Sequence, residues 1–189
     1  MKLTGAKQPE EVQQWINGSI DGDRSAQYAL YKQYSKAMYN LCYRITNDED
    51  EAKDVLQEAF LSAFQNLKSY RGDSSFGAWL KKIVINQAIN HIRKQKLMIQ
   101  PLEQYDEYSD ENMESDEDNL MLNVTRISEA IQELPDGFRM VFSLYLLEGY
   151  DHAEIGQILG ISESTSKTQY IRAKKKLNDI LKERIYSNG

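Results

Sequence analysis

Residues 151–177, DHAEIGQILGISESTSKTQYIRAKKKL, read as two short helices joined by a glycine turn, the second helix basic. Asp151 is placed to cap the first helix and Glu154 stands three residues on, the arrangement of a capping box. Ile155, Ile158 and Leu159 fall on one face at helical spacing, and Gly160 then breaks the pattern. Ile161 can plug the core between the two helices. Ser162 offers an N-cap oxygen to the orphan N–H groups that follow, and Tyr170, Ala173 and Leu177 face inward from the second helix. This is the pattern of a helix-turn-helix. From Glu163 to Leu177 there are five basic residues and one acidic.

Just upstream, Ile127, Ala130, Ile131 and Leu134 define a helix stopped by Pro135. Phe138, Val141, Phe142 and Tyr145 define another that ends at Glu148-Gly149. With the opening motif these make a four-helix unit over residues 124–185. Before it lies a stretch without helical periodicity: Pro101 to Asn119 carries nine acidic residues and no basic one. Such a run repels itself, so 97–123 reads as a flexible acidic linker.

The N-terminal half, residues 10–96, is also helical in pattern. Trp15 and Ile16 belong to a short helix closed near Asn17-Gly18. A second, from about Ser25 to Arg44, offers Ala26, Leu30, Tyr34, Ala37, Met38 and Leu41 as a buried face. A third, from Asn47 or Asp48 to about Leu67, buries Ala52, Leu56, Ala59, Phe60 and Ala63 and leaves Asp54, Gln57, Glu58 and Leu61 on the opposite side. A leucine exposed among acids suggests a contact patch. The polar loop Tyr70 to Ser75 leads into a fourth helix, Phe76 to about Lys94. There Trp79, Lys82, Asn86, Asn90 and Arg93 share one arc, while Leu80, Ile83, Val84 and Ala88 supply the packing face. Indole, amides and cations in one stripe suit nucleic acid: the aromatic can stack on bases, amides bond base edges and cations hold phosphates. The fold class expected is all-α, two small helical domains on a linker.

Composition sets the bounds. The 189 residues are 41% hydrophobic, enough for compact cores, and contain no apolar run long enough to cross a bilayer and no hydrophobic N-terminal leader. The expected location is the cytoplasm. A net charge of -6 looks wrong for a nucleic-acid binder, but without the nine linker acids 23 basic residues face 20 acidic ones, a balance of +3. Cys42 is the single cysteine, suited to packing, and His91 and His152 lack ligand spacing, so neither a metal nor another cofactor is expected.

Several segments, in one order, resemble the extracytoplasmic-function (ECF) sigma factors, the small two-domain bacterial initiation factors. DEDEAKDVLQEAFLSAF is similar to their regions 2.1 and 2.2, SYRGDSSFGAWLKKIVINQAINHIRK to regions 2.3 and 2.4, and LPDGFRMVFSLYLLEGYDHAEIGQILGISESTSKTQYIRAKKKL to region 4. The resemblance implies core RNA polymerase as partner, through its beta-prime clamp and beta flap. It also implies recognition of promoter DNA at a distal (-35) and a proximal (-10) element. Asp54, Gln57, Glu58 and Leu61 would dock on the clamp. Arg71, Ser74, Lys82, Asn86, Asn90 and Arg93 would engage and melt the proximal element. Ser164, Lys167, Thr168, Ile171, Arg172 and Lys175 would meet the distal element in the major groove. An anti-sigma factor is a common partner in the family, and no catalytic residue is implied.

The chain departs from the family pattern at four places. Ile85 stands where many members carry arginine and Asn90 where many carry aspartate. Ser166 replaces a usual valine, and Gln169 a frequent arginine; Gln169 either costs a phosphate contact or reads an adenine edge. Two other function classes remain open. A freestanding dimeric repressor or activator would use the same helix-turn-helix and bind duplex DNA without polymerase. An enzyme finds no support from a phosphate-binding glycine loop, a nucleophile motif or a histidine pair.

Overall fold

Several helices begin where a side chain satisfies free N–H groups, and two end on a left-handed residue. The computed structural model describes residues 9–99 and 124–186. Helix α1 (Glu10–Ile20) is followed by Gly22 at φ 88°, and α2 (Arg24–Thr46) starts on Asp23, whose carboxylate accepts from the Ser25 N–H at 2.8 Å. Asn47 closes α2 at φ 61°, a conformation asparagine tolerates. Asp48 then caps α3 (Glu49–Gln65), accepting from the Asp50 and Glu51 N–H groups, both at 2.9 Å. A 3-10 turn at Leu67–Ser69 leads to the loop before α4 (Phe76–Ile99).

The four helices bury Leu30, Leu41, Ile45, Ala52, Val55, Ala59, Phe76, Leu80, Val84 and Ala88 in one core. Removing the leucine, isoleucine, valine and phenylalanine side chains among them from water stabilises by about 1.5–3 kcal/mol each. Three expectations need correction. Helix α1 does not close at Asn17-Gly18 but runs to Ile20. Gly18 lies inside it because α2 crosses there: a Cβ would meet the Ala26 Cβ at 3.0 Å. Ala37, expected in the core, is exposed, since the buried stripe of α2 passes through Met38 and Leu41 instead. Helix α4 runs five residues past Lys94, so 97–99 are helical, and the remainder of the expected linker lies outside the described residues.

The second half comprises α5 (Val124–Gln132), α6 (Asp136–Phe142), a π-helical segment (Ser143–Leu147), α7 (His152–Leu159) and α8 (Glu163–Tyr186). Ala130, Ile131, Leu134, Phe142, Ala173, Leu177, Ile180 and Leu181 form its core. Among the described residues every regular element is helical.

The two halves are packed together. Val141, Leu144 and Ile155 of the second half are buried in the core of the first. Arg139 on α6 is only 1% exposed, and its guanidinium donates to the Leu134 carbonyl (2.9 Å), to the Arg44 (3.1 Å) and Ile45 (3.4 Å) carbonyls, and to the Asp136 carboxylate (2.6 Å). The two α2 carbonyls belong to its last turn, where no further N–H of the helix can reach. An arginine from one half therefore caps a helix of the other.

Candidate nucleic-acid interface

Three surfaces carry the residues singled out above. The first is on α3, where Asp54, Gln57 and Glu58 are exposed and Leu61 is 62% exposed, on the side opposite Ala52, Ala59 and Ala63. Tyr31 on α2 flanks it, packed edge-on to Phe60 with ring centres 4.9 Å apart. The surface is acidic with one apolar protrusion, chemistry that fits a basic partner with an apolar contact and not a phosphate backbone.

The second surface is on α4 and the loop before it. Lys82, Asn86, Asn90 and Arg93 are all exposed. Arg71 and Ser74 are exposed in the loop, which turns at Gly72 (φ 76°) and is held by the Tyr70 hydroxyl donating to the Ser74 carbonyl at 2.6 Å. Ser75 caps α4 by accepting from the Ala78 N–H at 3.3 Å. Trp79 is half-buried between Tyr70 and Phe76, with ring centres 5.4 and 5.6 Å away, so its indole anchors the loop to the helix. Burial raises the Tyr70 phenol above its ordinary value, which keeps it the donor this contact needs.

Ile85 is 1% exposed. One of the four positions at which the sequence leaves the family pattern is thus buried in the closed arrangement of the halves.

The third surface is on α8. Ser164, Lys167, Thr168, Ile171 and Lys175 are exposed along one side, with Ile171 at 50%, and Arg172 is half-buried at its edge. Lys167 pairs with Glu163 one turn earlier at 2.7 Å, a contact both partners make in water and can surrender to a phosphate at little cost. Beneath this face the two helices of the motif are fixed to each other. The capping box is complete: Asp151 accepts from the Glu154 N–H at 2.8 Å, and Glu154 accepts from the Asp151 N–H at 3.0 Å. Gly160 turns at φ 69°, and the Ile161 N–H donates to the Gly156 carbonyl at 3.0 Å. Ser162 caps α8 by accepting from the Thr165 N–H at 3.0 Å.

Ser166 and Gln169 lie elsewhere than a base-reading role requires. Ser166 is fully buried, its hydroxyl 2.9 Å from His152 Nδ1. The His152 ring is stacked on Tyr145 at 4.3 Å and tilted against Tyr170 at 5.7 Å. The substitution of a usual valine is thus matched by a polar partner on α7. Gln169 is half-buried, with its amide 3.7 to 3.9 Å from where a Cβ on Gly137 would stand.

The second surface borders the seam between the halves, where it meets α7. Lys82 and Asn86 line a crevice of about 230 Å³ with Ile85, Tyr150, Glu154, Gln157 and Ile158, smaller than the ~300–1,000 Å³ of ordinary ligand sites. Arg93 donates to the Ile158 carbonyl at 3.5 Å, in the last turn of α7. Four residues to which the sequence assigns no functional role organise this seam: Arg139, and Glu148 with its partners Arg44 and Lys81. Glu148 is 6% exposed at its side chain, ion-paired to Arg44 and, at 2.7 Å, to Lys81. Burial, then the Glu148 and Glu154 charges, raise the Tyr150 phenol nearby.

Among the described residues no group of three or more His, Cys, Asp or Glu side chains could hold a metal ion. Among them, too, no helix is long and apolar enough to cross a membrane.

Comparison with known proteins gives the arrangement a context. Residues 30–97 match the family model for Sigma-70 region 2, and residues 125–177 that for Sigma-70 region 4. The chain is 30% identical over 172 residues to the ECF RNA polymerase sigma factor SigW of Bacillus subtilis, covering 86% of this chain and 92% of that one. It is 31% identical over 169 residues to the ECF RNA polymerase sigma-E factor of Escherichia coli, covering 84% and 87% respectively. Among solved structures, the sigma factor RpoE in complex with the anti-sigma factor NepR from Bartonella quintana shares the fold at a TM-score of 0.55. That match has 21% identity and covers 82% of this chain and 96% of that one.

Proposed function

Because this chain belongs to the extracytoplasmic-function sigma factors of bacterial RNA polymerase, we propose that it is a promoter-specificity subunit. It binds core polymerase and directs initiation by recognising the distal and proximal promoter elements. The α3 surface of Asp54, Gln57, Glu58 and Leu61 docks on the beta-prime clamp. The 10–96 domain opens the proximal element with Arg71, Ser74, Lys82, Asn86, Asn90 and Arg93. Extruding a base costs a few kcal/mol of stacking, which amides poised on a rigid helix can offset. The 124–185 domain grips the distal element with Ser164, Lys167, Thr168, Ile171, Arg172 and Lys175 on α8, and meets the beta flap. The protein works in the cytoplasm, has no chemistry of its own and is held in check by an anti-sigma factor, as in the complex of the Bartonella quintana relative.

The observation that carries this reading is the division of labour on one chain. A face of cations and amides on α4 and a face of cations and hydroxyls on α8 stand apart from an acidic face with a protruding leucine on α3. A freestanding regulator has use for the third surface alone. Run-off transcription tests the proposal: core polymerase with this protein yields a defined transcript from a promoter selected out of random DNA. Leu61→Asp lowers core binding roughly tenfold or more, as loss of an interface anchor does, while the thermal melt stays unchanged because the side chain touches water. No transcript and no core binding by the wild type would overturn the reading.

A further inference from the structure

Glu148 of the second half reaches into the first to meet two cations. Its carboxylate accepts from Arg44 Nη2 with one oxygen and from Lys81 Nζ, at 2.7 Å, with the other. Arg44 and Lys81 come from different helices, α2 and α4, and their side chains are 26% and 32% exposed. The occupant fits them incompletely. Arg44 Nε is buried and has no hydrogen-bond partner, so one edge of the guanidinium is half used. A tetrahedral anion with three or four oxygens could take Nε and Nη2 together and still reach the lysine, the bidentate geometry in which arginine holds phosphate.

The placement of Glu148 makes it removable. It lies between the π-helical segment Ser143–Leu147 and Gly149 (φ 79°), on the half that carries the helix-turn-helix, whereas both cations belong to the half that carries α4. Lys81 precedes Lys82 on α4, at the edge of the candidate proximal-element surface. The packed arrangement also prevents a two-point grip. Arg93 touches the last turn of α7, yet the two promoter elements are separated by roughly 80 Å of duplex at about 3.4 Å per base pair. Engaging both parts the halves and withdraws Glu148 from its partners.

We propose that Arg44 and Lys81 form a binding site for a DNA backbone phosphate, and that Glu148 occupies it as an internal substitute when the two halves are closed. The contact is therefore self-inhibitory: the free chain covers one of its own phosphate sites, and promoter DNA on the polymerase exchanges a carboxylate for a phosphate there. This rests on the promoter-binding reading above and adds a site to it.

The experiment measures the full-length protein and its holoenzyme on a fluorescein-labelled promoter duplex across a salt series. Lys81→Gln and Arg44→Gln each flatten the salt dependence of the holoenzyme–promoter complex by about one unit of log–log slope, the signature of one lost phosphate contact. Glu148→Gln leaves that slope as in the wild type and tightens DNA binding by the free chain about tenfold, because the site is uncovered. Unchanged slopes for Lys81→Gln, or unchanged free-chain binding for Glu148→Gln, would overturn the proposal. If Arg44→Gln fails to fold, Lys81→Gln alone decides, its side chain being one-third exposed. Run-off transcription by the wild-type holoenzyme is measured alongside: its absence defeats the promoter-binding reading, while its presence with unchanged slopes defeats only this site.

Discussion

Ser166 stands on the recognition helix and yet never faces DNA. Its hydroxyl is fully buried against His152 Nδ1, so this departure from the family pattern bears on stability and not on base reading. Ser166→Ala strands a half-buried imidazole nitrogen and is expected to destabilise the protein by about 1 kcal/mol, read from denaturant unfolding, with the preferred distal sequence unchanged. A changed preference would contradict the assignment. Cys42 is equally inward: burial pushes its thiol up to about 12 from an ordinary 9.0. The native chain therefore keeps this proton where the unfolded chain loses it. Stability from this group is complete below about pH 9 and falls as the pH rises toward 12, and iodoacetamide labelling at neutral pH proceeds only as fast as the chain opens. Labelling as fast as that of a free thiol would contradict this. At this scale the sequence was a fair guide to the exposed residues of α3, α4 and α8, because a helical wheel separates faces. It was silent on Ile85, Ser166 and Gln169, because which face lies against a neighbour depends on a partner helix far along the chain.

The start of α3, to within a residue, and the cap of α7 were legible because capping is local. Asp48 with the N–H groups of Asp50 and Glu51, and Asp151 with Glu154, lie within three residues of one another. What the pattern missed was the use of glycine for close approach. Gly18 was read as a helix end but serves the crossing of α1 over α2. Gly156 has the same task in the helix-turn-helix: a Cβ there would stand 2.8 Å from the Ile161 carbonyl oxygen and 3.5 Å from the Glu163 nitrogen, both backbone atoms that cannot rotate away. Gly156→Ala is accordingly expected to cost about 1–3 kcal/mol by overpacking and to weaken distal-element binding, since α7 must shift against the turn that aims α8. Thermal denaturation and electrophoretic mobility shift of the holoenzyme check both parts. A fully stable variant with normal binding would show that the turn yields more easily than its contacts imply.

For the whole molecule, the all-α class was readable from periodicity, but the closed packing of the halves was not. Arg139 sits in DGFRMVF, where an arginine among apolar residues reads as a solvated edge; its carbonyl partners, Arg44 and Ile45, lie more than ninety residues away. Glu148 likewise reads as part of a polar helix end. Such contacts have no local signature, so only the three-dimensional arrangement discloses that each half caps a helix of the other, Arg139 on α2 and Arg93 on α7. On the proposed function, useful DNA affinity arises only when polymerase holds the two halves apart on one promoter. Footprinting of a single promoter tests it most directly. The expected result is protection at both the distal and proximal elements with the holoenzyme, and at neither with the same concentration of free protein. Protection of a duplex operator by the free protein, unaltered when core polymerase is added, would contradict it.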